Sequence, residues 1–205
     1  MYWTILSTLL GIWMLSDSSV TMRITNEVIV LDRDSSNMVS ASFIISNETE
    51  ADWLLYGLNF RDVAHAFDFE EGYCNGDIGA GTTGFIFNEN NEQVFAEISA
   101  SPPDSIDYKP IDIDQVQKAL DQAKSRYIES KLLIKSGESL RVEKVYNLKK
   151  YELEKGIYKL FLIYHAGEYT VENVGLSNIT SDENQYNAQL FQGCVKSNTV
   201  KLIVK

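Results

Sequence analysis

GIYKLFLIYH, residues 156 to 165, is the stretch that decides the fold. Apolar side chains fill both of its alternating sets of positions: Tyr158, Leu160, Leu162 and Tyr164 in one, and Ile157, Phe161 and Ile163 in the other. Successive side chains of a β-strand point to opposite faces of the sheet. A strand with apolar residues in both sets must therefore be covered on both sides. The stretch predicts a central strand.

Segments on either side of it alternate apolar and polar residues, a period of two that is typical of strands with one buried face. At the C-terminus, Val200, Leu202 and Val204 are expected to face the core, while Lys201 and Lys205 face water and discourage edge-to-edge pairing. The pattern recurs nearer the N-terminus in two sets of residues: Met22, Ile24, Val28 and Val30, and then Val39, Ala41, Phe43 and Ile45. The chain is therefore predicted to be all-β.

One helix is expected to interrupt the strands. Three prolines mark an irregular connection, because proline cannot donate a hydrogen bond to a sheet: Pro102, Pro103 and Pro110. An apolar stripe with helical spacing follows, made of Val116, Leu120, Ala123 and Tyr127, and Asp114 can cap its first turn. The sequence predicts a helix over about 113–128, within an insertion at 101–130. It would cover one end of a sheet or, alternatively, bind a partner.

The segment LEKGIYKL, residues 153 to 160, places Gly156 and then Tyr158 just inside the central strand. This spacing is similar to the tyrosine corner, in which a tyrosine hydroxyl bonds to the backbone at the turn between two strands of an immunoglobulin-like domain. Residues 131–205 therefore resemble the immunoglobulin-like or fibronectin-III-like modules of secreted bacterial proteins. The resemblance implies an immunoglobulin-like antiparallel β-sandwich with one inserted α-helix, in a single domain over 19–205. A fused pair of small sandwiches is the alternative.

The N-terminus carries an apolar run from Tyr2 to Leu15, which is too short to span a bilayer. It has the length of a secretory signal, and small residues allow cleavage before Ser19. No Lys or Arg precedes the run, so a misplaced start codon or a first buried strand are the other interpretations. We expect a signal peptide at 1–18 and a secreted or periplasmic chain that keeps no membrane span after cleavage.

Two cysteines, Cys74 and Cys194, default to a disulfide bridge in an oxidising compartment. The chain-entropy model values a bridge over so long a loop at about 4–5 kcal/mol. Leu160 stands where antibody domains place their second cysteine, so this would be a different bridge. A free, nucleophilic thiol is the rival reading, and it would need His65 or His165 beside it.

Charge and motifs exclude several classes of function. The chain has 29 acidic and 18 basic residues, a net charge of −11, and no run of Lys or Arg long enough for nucleic acid or an anionic lipid surface. GAGTTG, residues 79–84, matches a dinucleotide-binding pattern, but a strand rather than a helix follows it. With only two histidines, a zinc site would have to recruit carboxylates or break the disulfide, and no serine-hydrolase or zinc-protease signature is present. We expect no metal and no cofactor.

An acidic stretch, FDFEEGYCNGDIG, gathers Asp68, Glu70, Glu71 and Asp77. These are oxygen ligands of the type that calcium takes, but their spacing matches no calcium loop. They also provide the alternative functional hypothesis, a small exported hydrolase that uses carboxylates of the 68–77 loop.

The best candidate for a binding surface is the long polar stretch from His165 to Gln189, read as a loop that carries Tyr169 and Tyr186. Long loops in compact domains are often functional, and tyrosine offers contact area with little rotamer entropy to lose. A solvated, mobile insertion is the plain alternative. The sequence favours a non-catalytic binding or accessory module that recognises a protein or glycan through its loops. A purely structural domain is a third hypothesis.

The predicted export and bridge can be tested together by mass spectrometry of the exported chain under non-reducing conditions. We expect a mature N-terminus at Ser19 and no cysteine that iodoacetamide can alkylate before reduction. Two alkylatable cysteines would exclude the bridge, and a chain that retains residues 1–18 would exclude signal cleavage.

Overall fold

The computed structural model describes residues 20–58, 81–96 and 112–205. Of these residues, 43% lie in strands and 23% in helices, so the chain is mostly β, with several antiparallel sheets, as predicted. The proposed signal peptide, Cys74 and the acidic 68–77 loop lie outside the described residues. Within the described ranges, no helix is both long and apolar enough to cross a membrane.

The first sheet contains three antiparallel strands: β1 (Val20–Ile24), β3 (Met38–Asn47) and β7 (Ser139–Asn147). Strand β3 lies in the middle, paired with β1 on one edge and with β7 on the other. The alternating residues that the sequence assigned to the buried faces of β1 and β3, such as Met22, Phe43 and Ile45, are buried. The same assignment is wrong for Val28 and Val30, which are 42% and 47% exposed, because the strand they lie on buries its other set of residues, Ile29 and Leu31.

The second sheet contains β2 (Val28–Leu31), β5 (Gly81–Phe87), β8 (Gly156–Ala166), β10 (Gly193–Lys196) and β11 (Val200–Val204). Strand β8 is central, since it pairs with β5 on one edge and with β10 and β11 on the other. Strand β2 lies beyond β11 and runs parallel to it. Two glycines of the dinucleotide-like GAGTTG motif, Gly81 and Gly84, lie in strand β5, as expected if the match to that motif arose by chance.

Strand β8 is covered on both faces from Leu160 onward, as its composition predicts, but Ile157 near its start is 44% exposed, so the predicted cover is wrong there. Leu160, Leu162 and Tyr164 join the main core, which also contains buried residues of the first sheet. On the opposite face Phe161 and Ile163 are also buried, with relative exposures of 5% and 0%. They belong to a second apolar cluster in which the rings of Phe161 and Phe85 stack, with centroids 5.5 Å apart.

The C-terminal strand β11 buries Val200, Leu202 and Val204, as predicted. The expectation that its lysines protect an open edge is wrong, because β2 pairs with that edge from Lys201 to Val204. Among the described strands, the outer edges of this sheet are β2 on this side and β5 on the other.

Strands β10 and β11 follow the same edge of β8 with a break between them. Ser197 fills the break: its backbone N–H donates to Leu162 O at 2.8 Å, and its hydroxyl accepts from Leu162 N at 2.8 Å. Next to it, the side-chain oxygen of Asn198 accepts from Ile24 N at 2.7 Å, at the end of β1. The break in the strand thus connects the two sheets.

A third, small sheet orders the remaining strands as β6 (Leu132–Ile134), β4 (Trp53–Leu55) and β9 (Gln189–Leu190). The predicted helix is present as α1 (Ile113–Glu129), and Asp112 caps it rather than Asp114, by accepting from the backbone of Asp114 at 3.1 Å.

The predicted apolar stripe of α1 is only partly buried. Tyr127 is 2% exposed, whereas Val116 and Leu120 are 47% and 58% exposed. Helical spacing identified the helix correctly, but only its C-terminal turn packs against the rest of the described chain.

The stretch 165–189 is not a loop, which corrects the sequence interpretation. It forms α2 (Glu168–Val174) and α3 (Leu176–Tyr186), separated by Gly175 at a φ of +83°. Their buried residues are few and widely spaced, chiefly Val174 and Ile179, so the polar composition hid the helices.

The expected corner tyrosine gives a stability prediction. Tyr158 donates its hydroxyl to Glu154 O at 3.1 Å in an exposed position, whereas Tyr164 donates to Tyr56 O at 3.0 Å in a buried one. Because water can replace an exposed partner, we expect Tyr158→Phe to lower the free energy of unfolding by less than about 1 kcal/mol.

Tyr164→Phe, the matched control, leaves a buried carbonyl without its donor and should cost about 1–3 kcal/mol. Urea unfolding of both variants measures the difference. Equal losses in the free energy of unfolding would contradict the assignment of the Tyr158 hydroxyl as an exposed donor and the Tyr164 hydroxyl as a buried one.

Candidate functional site

Three segments meet at one end of the two large sheets. Strand β3 ends there at Asn47, whose N–H donates to Glu138 O at 2.9 Å, just before β7 begins. Gly81 at the start of β5 pairs with His165 at the end of β8, so these ends lie together as well. The segments 48–58, 112–138 and 167–192 therefore all emerge at this end. We call the structure that they form, namely β4, β6, β9 and the three helices, the cap.

The cap has an apolar cluster of its own. Tyr127 is the anchor that α1 contributes, and its hydroxyl lies 3.1 Å from the hydroxyl of Thr170 on α2. The buried members of the cluster come from all three segments: Leu54, Tyr56, Tyr127, Val174, Ile179, Ala188 and Leu190. Gly57, at a φ of +71°, lies so close to the Tyr127 ring that any side chain there would collide with it.

A buried polar chain connects the cap to the central strand. Tyr164 on β8 donates to Tyr56 O, and the Tyr56 hydroxyl in turn donates to Asp182 Oδ2 on α3 at 2.5 Å. Lys131, just after α1, donates to Asp182 Oδ1 at 2.5 Å and forms an ion pair with it. One carboxylate therefore holds parts of all three segments.

The electrostatics of this chain follow from burial and from its partners. Desolvation raises the pKa of Tyr56 well above its usual value, and the hydrogen bond to Asp182 adds to the effect. Burial also raises the pKa of Tyr164. For Asp182, desolvation acts to raise the pKa, but hydrogen bonds from Lys131 and Tyr56 outweigh it and hold the pKa below its usual value. Both tyrosines are thus neutral donors at physiological pH, and Asp182 is ionised.

An open cleft of about 690 Å³ lies on the cap between the start of β4 and the end of α3. Its lining is mostly polar: Glu50, Ala51, Asp52, Glu183, Asn184, Asn187, Ala188 and Gln189. Two of its carboxylates support the walls, since Asp52 Oδ1 accepts from Ser136 N at 2.8 Å and Glu183 Oε1 accepts from Leu190 N at 2.9 Å. Glu50 and Asn184 are exposed.

The three residues expected on a binding loop are in different environments. His165 is buried at the end of β8, with 6% of its surface exposed. Tyr169 lies on α2 and is 39% exposed. Tyr186 is half-buried at the end of α3, where Lys131 Nζ lies 5.4 Å from its ring centroid. The structure thus brings Tyr186 to the partly buried ion pair of Lys131 and Asp182 and places none of the three in the lining of the cleft.

The other singled-out residues are partly described. Gly156 begins β8, and Tyr158 two residues later makes the local bond to Glu154 O that the sequence led us to expect. Cys194 lies on β10 beside His165 and is not a free thiol. Its expected partner, Cys74, lies outside the described residues, so the bridge stays a prediction.

Lys144 is a residue that the sequence interpretation missed. It lies on the core side of β7 with 7% of its surface exposed, and its Nζ donates to Thr82 O on β5 at 3.2 Å. A signal was available, because Lys144 occupies the same alternating set as Leu140, Val142 and Tyr146. A lysine in an otherwise apolar set predicts a buried ammonium group.

In the described ranges, no group of three or more His, Cys, Asp or Glu side chains could hold a metal ion. The carboxylates of the 68–77 loop lie outside those ranges, so the calcium and hydrolase hypotheses stay predictions.

No known family model matches this chain, and no curated protein matches it either. The cap, its cleft and the strand order are therefore the grounds on which a function can be proposed.

The buried carboxylate gives a prediction with a defined pH dependence. Asp182→Asn removes the ion pair and leaves the Lys131 ammonium group without its partner, so we expect a loss of about 2 kcal/mol in the free energy of unfolding at neutral pH. Because the folded-state pKa of Asp182 is lowered, its contribution is present above the ordinary Asp pKa and is lost as the pH falls through the folded value.

The stability gap between wild type and Asp182→Asn should therefore narrow below about pH 4. Urea unfolding across the acid range measures it, with Asp34→Asn in an exposed turn as the control. A gap that is constant with pH would contradict the role of the ion pair.

Proposed function

We propose that this chain is an immunoglobulin-like β-sandwich. The strand order supports this: β1–β3–β7 in one sheet faces a sheet in which β5, β8 and β10–β11 are neighbours and β2 pairs in parallel with the last strand. The first two strands, β1 and β2, lie in different sheets, and β2 runs parallel to the last strand, β11. Both features fit an immunoglobulin-like arrangement. The Tyr158 bond between β7 and β8 lies where the tyrosine corner is expected.

We further propose that the module is secreted or periplasmic and acts by binding, without catalysis. The N-terminal apolar run and the two cysteines support export. The observation that carries the binding role is the convergence of three segments on one end of the sandwich, where they build a cap with an open polar cleft. Immunoglobulin-like domains commonly recognise ligands through the loops at one end.

The cleft suits a polar ligand. Its amide side chains can both donate and accept hydrogen bonds, which matches the hydroxyl groups of a glycan or the backbone of a protein segment. The hydrogen bonds through Asp182 hold the α3 wall of the cleft to Lys131, just after α1, and through Tyr56 to β8. Few further residues must therefore become ordered when a ligand binds.

The test compares two matched double variants in binding to a glycan array and to proteins of the native envelope fraction. Glu50→Ala with Asn184→Ala alters two exposed side chains of the cleft. Glu89→Ala with Asn90→Ala makes the same chemical change in the exposed turn after β5, at the opposite end of the sandwich. We expect the cleft variant to bind at least about tenfold more weakly, a change of about 1.4 kcal/mol, and the control to bind like wild type.

Equal binding by wild type and the cleft variant would exclude the cleft as the recognition site. Loss of binding in the control alone would move the site to the opposite end.

A further inference from the structure

Strand β2 is an open edge with an unusual outward face. Its outward side chains are Val28 and Val30, which are 42% and 47% exposed. Open edges in soluble proteins usually carry charge to prevent pairing with another strand. The two edge strands of the first sheet do so: Arg23 lies on β1, and Arg141 and Glu143 lie on β7. Strand β5, at the other edge of the second sheet, carries no charge. Strand β2 carries only aliphatic residues.

The backbone of β2 presents two residues to this edge. Lys205 N donates to Leu31 O at 3.0 Å, so Leu31 and, two residues before it, Ile29 face β11. Alternate residues of a strand face opposite edges, which leaves the N–H and C=O groups of Val28 and Val30 directed away from β11. Within the described ranges, β2 pairs with β11 alone.

The apolar face continues inward from the edge. Val30 lies beside Ile203 on β11, and Ile203 lies beside Ile157 on β8, in one row across three strands. Ile157 is 44% exposed. Two lysines occupy the next row of this face: Lys201 lies directly beside Val28, and Lys159 lies beside Lys201.

We propose that β2 pairs with β2 of a second copy of this chain, antiparallel and about a two-fold axis at Ile29. This register sets Val28 opposite Val30 of the second copy, and Val30 opposite Val28. Each such pair exchanges two hydrogen bonds, so all four outward groups of each copy are satisfied at once. The register also brings four valine side chains together on the outward face.

A second copy is the occupant because the edge is self-complementary. The outward groups occur at two positions with one residue between them, which is the spacing that a two-fold antiparallel pair uses. The three residues of each copy that pair in this register, Val28, Ile29 and Val30, carry no charge, and Leu31 lies opposite Glu27 of the second copy. A closed two-fold contact also consumes the open edge, so association stops at the dimer.

The strength and salt dependence of the pairing follow from size and charge. A four-residue edge buries less than the roughly 1,200 Å² of a standard stable interface, so the dimer is weak. Each copy carries a net charge of −11, so the copies repel each other over long range. Added salt screens this repulsion and should strengthen the dimer.

Sedimentation velocity over a wide concentration range tests the pairing, with Val28→Lys/Val30→Lys as the disrupting variant. The control is Val145→Lys, which places the same charge at a 51% exposed valine on the β7 edge. We expect wild type and control to shift from monomer to dimer, and the double variant to associate at least about tenfold more weakly. A wild type that is monomeric throughout, or a double variant that associates like wild type, would overturn the proposal.

Amide hydrogen exchange on the wild type keeps the test valid if the double variant fails to fold. The Val28 and Val30 amides should become more protected as concentration rises, whereas the Ile29 and Leu31 amides, which face β11, should be protected at every concentration. Protection of Val28 and Val30 that is independent of concentration would mean that another part of the same chain covers the edge, and would also overturn the proposal.

Discussion

The burial of β8 on both faces and both edges is the constraint on which the rest of the structure depends. Its residues from Leu160 to Tyr164 are all at most 5% exposed. A strand of this kind cannot lie at a surface without leaving apolar side chains in water, at about 25 cal/mol for each Å². The first sheet must therefore cover one face, and β5 and β10–β11 must satisfy its two edges.

Tyr164 extends this constraint from the sheets to the cap. A buried phenol must find a hydrogen-bond partner, and the one it finds is the Tyr56 carbonyl in the segment that follows β4. The Tyr56 hydroxyl in turn donates a hydrogen bond to Asp182, and the Asp182 carboxylate forms an ion pair with Lys131. A single central strand thus determines where α1 and α3 are held, and with them the walls of the polar cleft.

The cap and the β2 edge are two surfaces of different chemistry that a partner could contact. The cap presents a polar concave surface formed by segments that are far apart in sequence. The β2 edge presents a short, flat, aliphatic surface whose backbone groups lack partners in the described ranges. These surfaces suit different partners, a polar ligand for the first and another strand for the second, and they do not overlap.

Local pattern predicted the strands because side-chain alternation is a property of a few consecutive residues. It predicted the double burial of β8 from Leu160 to Tyr164, the inward residues of β11 and the existence of α1. The position of the apolar stripe of α1 in the sequence could not show that Val116 and Leu120 stay exposed. Burial of a helix depends on which other segments of the chain pack against it. The helices α2 and α3 were missed for the same reason, since their sparse apolar residues are buried against Tyr127 and Leu54 from elsewhere in the chain.

The sequence by itself thus determined the β class, the central strand and the core faces, because each rests on spacing along the chain. Tertiary structure alone decided which strand forms the open edge, which carboxylate joins the three cap segments and which polar residues share a cleft. Those features join residues that are distant in sequence, such as Tyr56 and Asp182 or Val28 and Lys201. Periodicity carries no information about such pairs, because it describes one strand or helix at a time and not its neighbours.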